Sequence, residues 1–500
     1  MDYIRTDSNG QLTFSQSTDF LSIPSCLYGF HNTETTTAVA ESGRTVVCFH
    51  GEMELPEEER ICTCGCRMHK NNSPDIELRH LCIGGNLSRV IFPHLQLRCP
   101  KCNATKQQYI SFKAPKHRIT EELYQYTRDL LAIGTYTNKQ VAEITGLGKN
   151  TVKEIDKTRL EELYTINGKL IKPERQAKYL GIDEFKLHNG RRYATHIIDL
   201  ETGHILWIAN GKKKQVVYDF IDHVGLDWMD GVEAVACDMN SDFQEAFEEM
   251  CPHIQPVYDY FHIVKNFNDK VVSEVRKDEQ RRLYAEGNVE AAKALKRTRY
   301  ILMSRRETIQ AKDKDALKGR IIHKGSQLFG TENIVRKTGY EAKYDELLQQ
   351  NSLLFTLDLI KEKLADAYKT IDEALMAEKV IDIMDMCQAS KNSHLMWFGK
   401  LLDSHFEGII AHATYKISSG KIEGINQKIK TLRRHGYGYP DDEYFFLKLF
   451  DMSRGSYDRN PASHRICDWA KRIEAKSGTV LEAEAIQWEQ APDGRWHEAV

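Results

Sequence analysis

Three acidic residues that lie far apart in the chain are candidates for holding divalent cations. Asp183 and Asp238 each directly follow an apolar, strand-like segment, so both carboxylates are expected at strand ends beside a sheet. Glu423 is the only acid in the stretch 414–434, which holds six basic residues. Two carboxylates on neighbouring strands and a third from a helix can bind two divalent ions about 3.5–4 Å apart, an arrangement suited to in-line phosphoryl transfer. The pattern therefore indicates metal-dependent chemistry on a phosphodiester.

The same acids also have an ordinary structural interpretation. Aspartate is common where strands end, because its side chain stabilises turns. Residue types alone leave the choice open between Asp183, Asp238 and the other acids of the same region, which are Glu184, Asp199, Glu201, Asp242 and Asp259.

Basic residues surround Glu423 and favour contact with a nucleic acid. A merely solvated helix usually intersperses both charges, whereas here one acid stands among bases. Five of these bases are predicted to hold phosphate backbone near the scissile bond, namely Lys421, Lys428, Lys430, Arg433 and Arg434. Upstream, His262 and Lys265 lie one turn apart on a predicted helix, where they either approach the site or a DNA phosphate, or serve packing.

Cysteine placement predicts a structural zinc site in the first hundred or so residues. Eight of the twelve cysteines precede position 103. Cys99 and Cys102 have the two-residue gap that lets two thiolates face one tetrahedral zinc ion. Their partners are two of the three cysteines Cys62, Cys64 and Cys66, and the sequence leaves all three pairings open. Buried reduced cysteines without a metal are the alternative.

The segment 137–155 predicts a helix-turn-helix. Thr137 is placed to cap a first helix, Gly146 to supply the turn, and Val152 and Ile155 to face back to the core. The residues predicted to face DNA are Lys139, Lys149, Asn150, Thr151 and Lys153. A generic helical hairpin with a solvated charged face is the alternative.

The remaining pattern describes the elements that must position these residues. Residues 1 to about 110 alternate short apolar runs with polar turns, which predicts a β-rich unit. Apolar segments between positions 177 and 267 predict the order β-β-β-α-β-α. The stretch 266–411 is charged, poor in proline and helical in period, which predicts an all-helical insertion.

Length and composition exclude several classes of protein. A chain of 500 residues predicts two to four domains, and 41% hydrophobic with 28% charged residues excludes a largely disordered or fibrous protein. A net charge of −3 excludes a uniformly basic surface, so any contact with nucleic acid must be local. The sequence holds no apolar run of membrane-spanning length and no secretion signal, so a cytoplasmic protein without a membrane partner is expected.

Together these segments resemble DDE transposases of the ISL3 insertion-sequence family. The resemblance covers nearly the whole chain. It is carried by the cysteines ending in LRCPKC, the helix-turn-helix, and the segments GIDEFKLHNGRRYATHIIDLETGHIL, VACDMNSDFQEAF, VYDYFHIVKNF and SSGKIEGINQKIKTLRRHGYGY. Two features depart from the family pattern, because the first cysteine knuckle is compressed and Ser419 stands where Asn is expected.

The resemblance implies an RNase H-like catalytic core with Asp183, Asp238 and Glu423 as its metal-binding triad, using Mg²⁺ or Mn²⁺. The expected fold is a multidomain α/β protein in which an all-helical insertion divides that core. The predicted domains are a zinc-ribbon β-rich domain (1–112), a helix-turn-helix DNA-binding domain (113–172), the first part of the core (173–265), the helical insertion (266–410), the last part of the core with Glu423 (411–455) and a C-terminal tail (456–500).

The implied activity is that of an insertion-sequence transposase. Such an enzyme binds the terminal inverted repeats of double-stranded DNA, cuts at the element's end with water and joins the liberated 3′-hydroxyl to target DNA. Because two ends must be joined, a homodimer on DNA is expected. Two alternatives stay open: a zinc-dependent DNA-binding regulator without catalysis, and an RNase H-like nuclease that cleaves without joining.

Overall fold

The computed structural model describes residues 27–40, 43–188, 192–239, 241–335, 337–349, 351–436 and 438–454, with four short strands outside these ranges. Those strands form two antiparallel pairs, β1 (Arg5–Thr6) with β2 (Leu12–Thr13), and Trp488–Gln490 with Trp496–Glu498. The rest of the predicted tail and Cys26 lie outside the described residues. The chain forms two compact units, one of residues 1–170 with 435–500 and the other of residues 171–434.

The first unit begins with two small sheets, as the alternating pattern predicts. A four-stranded sheet has the order β3-β4-β7-β6, and a three-stranded sheet has the order β5-β8-β9. Phe30, Phe92 and Phe112 fill the core beside the larger sheet, with ring centroids 5.7 to 6.5 Å apart. The strands are β3 (Phe30–Val39), β4 (Thr45–Met53), β5 (His69–Asn72), β6 (Asp75–Ile83), β7 (Asn86–Pro93), β8 (Gln96–Arg98) and β9 (Thr105–Gln107).

Three helices follow, α1 (Glu121–Ala132), α2 (Asn138–Thr145) and α3 (Lys149–Tyr164). The prediction that Thr137 caps α2 is confirmed, since its side chain accepts from the backbone N–H of Gln140, which bonds back in a capping box. Gly146 ends α2 with φ +72°, a conformation that glycine adopts at no steric cost. Helix α3 continues to Tyr164, beyond the predicted segment 137–155, because Arg159 and Leu160 extend its buried face. A hairpin of β10 (Thr165–Ile166) and β11 (Lys169–Leu170) follows.

The second unit is built on a five-stranded sheet in the order β14-β13-β12-β15-β16. The first three strands are antiparallel, whereas β12, β15 and β16 run parallel. The predicted β-β-β-α-β-α order is present, but the fifth strand was not predicted. It holds only three residues including Pro256, and proline is tolerated there because β16 is an edge strand. The elements are β12 (Tyr179–Lys186), β13 (Tyr193–Asp199), β14 (Ile205–Asn210), α4 (Gln215–Val224), α5 (Leu226–Met229), β15 (Ala234–Ala236), α6 (Ser241–Met250) and β16 (Gln255–Val257).

Helices dominate the rest of the second unit, and one apolar core runs from the sheet into them. The prediction of an all-helical insertion is wrong in one place, where β17 and β18 form an exposed hairpin of β-branched residues. A π-helical turn at Phe267–Val272 follows α7. The elements are α7 (Tyr260–Asn266), α8 (Ser273–Ala285), α9 (Val289–Ala294), α10 (Arg299–Met303), α11 (Arg306–Leu317), β17 (Ile321–His323), β18 (Ile334–Val335), α12 (Tyr340–Gln349), α13 (Ser352–Ala367), α14 (Glu373–Ala389), α15 (Ser393–Ser404), α16 (Phe406–Ile410), α17 (His412–Tyr415) and α18 (Gly420–His435).

The last long helix, α19 (Asp442–Arg454), packs against α3 in the first unit. Asp156 of α3 is fully buried and accepts from Lys448 at 2.9 Å and from the Tyr444 hydroxyl at 2.7 Å. The predicted segment 411–455 therefore contains α18 of the second unit and α19 of the first. Among the helices of the described ranges, none has the length and apolar character needed to cross a bilayer.

Candidate active site

Asp183 lies on β12, and Asp238 follows the neighbouring parallel strand, β15. Gly181 of β12 pairs with Ala236 at the end of β15, and Asp183 and Asp238 each come two residues later in the chain. The expectation that Asp183 ends a strand is wrong, because β12 continues to Lys186 through its pairing with β13. The pairing with β15 ends at Gly181, however, so both acids lie just beyond the hydrogen-bonded part of the two strands.

Each of these carboxylates accepts hydrogen bonds from its own surroundings. Asp183 accepts from the backbone N–H of Glu184 at 2.8 Å and from Nδ2 of Asn426 at 2.6 Å. Asp238 accepts from the backbone N–H of Met239 at 2.7 Å and lies 3.2 Å from Nδ1 of His262. The sequence left three roles open for His262: a place near the site, a contact to a DNA phosphate, and packing. Its contact with Asp238 favours the first of them.

The pKa values of Asp183 and Asp238 are shifted in opposite directions. Burial raises the pKa of Asp183 above its ordinary value, and the nearby charge of Asp238 adds to this. The hydrogen bond from His262 is the largest influence on Asp238 and lowers the pKa of that carboxyl. Burial alone would lower the pKa of His262, but Asp238 and Asp183 together outweigh it and raise that pKa.

Helix α18 brings Glu423 to the same edge of the sheet. Gly181 permits this approach, since a Cβ at that position would lie 2.8 Å from the side chain of Ile422. Asn426, which bonds Asp183, is three residues after Glu423 and on the same side of the helix. The Glu423 side chain is exposed, and within the described part of the chain its carboxylate has no hydrogen-bond or ion-pair partner.

The three carboxylates do not form a closed cluster. In the ranges that the structure describes, only four cysteines form a group of potential ligands within 4.8 Å of one another. Within the described residues, the buried Oδ1 of Asn426 has no hydrogen-bond partner. This oxygen and the carboxylates of Asp183 and Asp238 are ligand types that suit a hard divalent cation.

The other candidate acids have contacts that favour structural roles for two of them. Asp199 accepts from the backbone N–H of Glu201 and from the hydroxyl of Thr202, both at 2.8 Å, and so closes the turn after β13. Asp259 accepts from the backbone N–H of Ser419 at 2.9 Å and also from its hydroxyl. Ser419, the departure from the family pattern, therefore forms a buried contact that orders the start of α18.

The basic residues of α18 divide into two groups. Lys421 and Arg433 donate to backbone carbonyls of the same unit, those of Glu201 and Lys186, both at 2.6 Å. These two bonds attach the helix to the sheet. Lys428, Lys430 and Arg434 form the second group and are exposed, as Lys421 also is.

The cysteine site contains Cys62, Cys64, Cys99 and Cys102. Their sulfur atoms lie within 4.8 Å of one another, with the Cys62–Cys102 and Cys64–Cys99 pairs at 3.5 Å. Sulfurs at the corners of a zinc tetrahedron are roughly 3.8 Å apart, so the cluster is compatible with zinc. The backbone N–H of Cys102, opposed in part by burial, lowers the pKa of Cys99 to about 6, which favours a thiolate ligand. Cys66, left open by the sequence, is outside the group.

Of the five residues predicted to face DNA in the first unit, two have an acidic side chain nearby and the other three differ in exposure. Lys149 and Asn150 are exposed at the start of α3, and Thr151 is half-buried. Lys153 forms an ion pair with Asp441 at 2.9 Å, and Lys139 lies 3.8 Å from Glu143.

Sequence reasoning missed Asn426 as a site residue. It has no charge and stands in a helix rich in lysine, so its type did not distinguish it. The available signal was its position, since a residue three places after Glu423 shares its helix face.

Known transposases match this chain in sequence. A family model described as transposase, that of the ISL3-type DDE enzymes, matches residues 180–449, which is more than half of the chain. The transposase of insertion sequence IS1001 from Bordetella parapertussis is 27% identical over 71% of this chain and 79% of its own length. The transposase of IS1557 from Mycobacterium tuberculosis is 24% identical over 52% of this chain, which covers little more than half, 56%, of that relative. The chain belongs to the ISL3 family of DDE transposases.

Proposed function

We propose that this transposase cuts and joins DNA at an RNase H-like core in which Asp183, Asp238 and Glu423 bind two divalent cations. The observation that carries the proposal is that Asp183 and Asp238 each come two residues after the paired residues Gly181 and Ala236, with the helix of Glu423 bonded to Asp183 through Asn426. The sheet supports it as well, because its strands, counted from β12, stand in the order 3-2-1-4-5, with Asp183 on strand 1 and Asp238 just after strand 4.

The protein residues prepare the site in distinct ways. Each Asp183 oxygen accepts one hydrogen bond and keeps a lone pair for a ligand. His262 orients Asp238 and favours its ionised form. Divalent cations bound there polarise the scissile phosphate and lower the pKa of the attacking water or 3′-hydroxyl. No covalent protein–DNA link is needed, so no serine or tyrosine nucleophile is assigned.

The first unit supplies DNA recognition in this proposal. Zinc held by Cys62, Cys64, Cys99 and Cys102 stabilises a ribbon that has only a small core of its own. Helices α2 and α3 act as a helix-turn-helix on the terminal inverted repeats, with Lys149 and Asn150 as its exposed contacts. The exposed bases of α18 hold the phosphate backbone. A homodimer brings two element ends together, and each is then joined to target DNA.

The test uses the purified full chain with labelled element ends and Mg²⁺ and scores both nicks and joined products. We expect nicking that exposes a 3′-hydroxyl, followed by strand joining. The variant Asp183→Ala is expected to bind the ends with unchanged affinity and to lose cleavage. A chain that binds ends without ever nicking them is a regulator, and one that nicks without joining is a nuclease. Either outcome refutes the proposal.

A further inference from the structure

The exposed carboxylate of Glu423 is positioned by its helix alone. Within the described residues, no side chain bonds this carboxylate, so its place depends on where the first turn of α18 begins. Residues later in the helix are attached to the sheet through Asn426 and Arg433. In the first turn itself, Lys421 donates to the carbonyl of Glu201 at 2.6 Å. The residue that leads into the helix, Ser419, has a separate attachment.

Asp259 provides that attachment. Its Oδ2 atom accepts from the backbone N–H of Ser419 at 2.9 Å and from the Ser419 hydroxyl, and both residues are buried. Ser419 immediately precedes α18, so a carboxylate there also faces the positive end of the helix dipole. The contact joins residues 160 positions apart in the chain.

Asp259 makes this contact instead of the one that its own position favours. It is the N-cap residue of α7, where an aspartate usually accepts from a backbone N–H of the first turn. Its side chain makes no such cap, whereas Asp372 at the start of α14 accepts from Leu375 at 2.7 Å in the ordinary way. The Asp259 carboxylate is thus diverted from its own helix to α18.

The backbone that carries Asp259 is firmly held. The preceding residue, Tyr258, is fully buried, and its N–H donates to the carbonyl of Gly408 at 2.9 Å. Its own carbonyl accepts from the hydroxyl of Tyr368 at 3.2 Å. Because the backbone before Asp259 is fixed by these two hydrogen bonds, the position of the Asp259 carboxylate is fixed as well, and so is the Ser419 backbone that it binds.

The same helix also holds the second acid of the site. His262, three residues after Asp259, lies 3.2 Å from Asp238. We infer that α7 sets the distance between two catalytic acids, because it carries a contact to each of them. His262 holds Asp238, and Asp259 acts as a positioning residue for Glu423. This inference rests on the proposed metal-binding role of these acids.

The test compares four variants of the full chain bound to a DNA end. Asp259→Ala removes both hydrogen bonds, Asp259→Asn keeps an acceptor oxygen, and Ser419→Ala keeps only the backbone bond. Asp372→Ala is the matched control, because it removes an N-cap aspartate from the same unit at a helix that the site does not use. Manganese binding is measured by electron paramagnetic resonance, and end cleavage and DNA affinity are measured alongside.

We expect Asp259→Ala to weaken Mn²⁺ binding and slow cleavage by about 10- to 100-fold, the usual cost of removing a partner behind a metal ligand. DNA affinity should stay within about twofold of wild type, because the phosphate contacts are untouched. Ser419→Ala should fall between Asp259→Ala and wild type, and Asp259→Asn should lie near wild type. Asp372→Ala should keep wild-type Mn²⁺ binding.

Two results would overturn the inference. In one, Asp259→Ala matches Asp372→Ala in both manganese binding and cleavage. In the other, Asp259→Asn is as damaging as Asp259→Ala, which would show that an acceptor oxygen at this position does not hold the start of α18. If wild type itself binds no Mn²⁺ and cuts no DNA, the proposed function fails instead, so the two failures are distinguishable.

Discussion

At the scale of single residues, hydrogen-bond donors orient the two carboxylates that we propose as cation ligands. Asn426 bonds Asp183, whose pKa burial raises, and His262 bonds Asp238, whose pKa it lowers. The sequence made the two acids candidates, because apolar segments end in them, but the choice among the acids of this region depended on the family resemblance. Asn426 was not a candidate, since its role depends on which strand its helix crosses.

The variant Asn426→Ala tests this arrangement at the residue level. Removing the amide leaves Asp183 with one hydrogen bond fewer and with more freedom to turn away. We expect end cleavage to slow by about 10- to 100-fold. Single-turnover rates measure this, with Gln427→Ala, an exposed neighbour, as control. Equal rates for Asn426→Ala and wild type would remove Asn426 from the site.

At the scale of elements, strand and helix positions were predictable where the apolar period was strong. Strand β13, buried along most of its length, and the capped helix α2 followed from local pattern. The edge strand β16 and the hairpin β17–β18 are too short to show a period. The packing of α19 on α3 joins parts of the chain that are about 290 residues apart, and single-sequence patterns carry no information on such contacts.

The pairing of α3 with α19 predicts a large stability effect at Asp156. This carboxylate is fully buried and bonded to Arg159 and Lys448, so removing it takes away the ion pair of the buried Lys448 and leaves Arg159 paired with Asp451 alone. We expect Asp156→Ala to lower the free energy of unfolding of the first unit by about 3–5 kcal/mol. Urea denaturation measures the change.

The control for Asp156→Ala is Asp366→Ala, which breaks an ion pair with Lys379 in which the aspartate is 64% exposed. That variant should cost less than about 1 kcal/mol. Similar small effects for both variants would show that the α3–α19 network contributes little to stability.

Strand β6 predicts a pH dependence through His80. Its imidazole is 3% exposed and lies 2.9 Å from the Thr120 hydroxyl, and burial lowers its pKa to about 4. The unfolded chain therefore binds a proton near pH 6.5 that the folded unit binds only near pH 4. Stability from neutral His80 is present above pH 6.5 and is lost as the pH falls to about 4, by up to about 3 kcal/mol.

The variant His80→Gln isolates this contribution, because glutamine keeps a hydrogen-bonding group and does not titrate. Urea unfolding of wild type and variant between pH 7 and 4 measures the difference. We expect the variant to lose less stability than wild type over this range. Parallel curves for the two proteins would contradict the assignment.

At the scale of the whole molecule, we expect the structural zinc ion in the first unit and the catalytic Mg²⁺ or Mn²⁺ ions in the second. The proposed zinc ligands, Cys62, Cys64, Cys99 and Cys102, belong to the first unit, and the acids belong to the second. We expect Cys64→Ser to lose the zinc ion and end binding, because the ribbon loses its stabilising ligand. Cys66→Ser is the matched control and should keep both.

Metal analysis together with gel-shift assays checks this prediction. Zinc retained in Cys64→Ser and lost in Cys66→Ser would reverse the ligand assignment. The sequence predicted the cysteine pairs as zinc ligands, but it left the choice among the first three open because all three lie within five residues.

The most direct test of the central claim is anomalous diffraction from the full chain bound to a cleaved DNA end in Mn²⁺. The account predicts two manganese peaks roughly 3.5–4 Å apart, contacted by Asp183, Asp238 and Glu423. Manganese at Asp183 and Asp238 with Glu423 still turned to solvent, or no manganese at these acids, would contradict it.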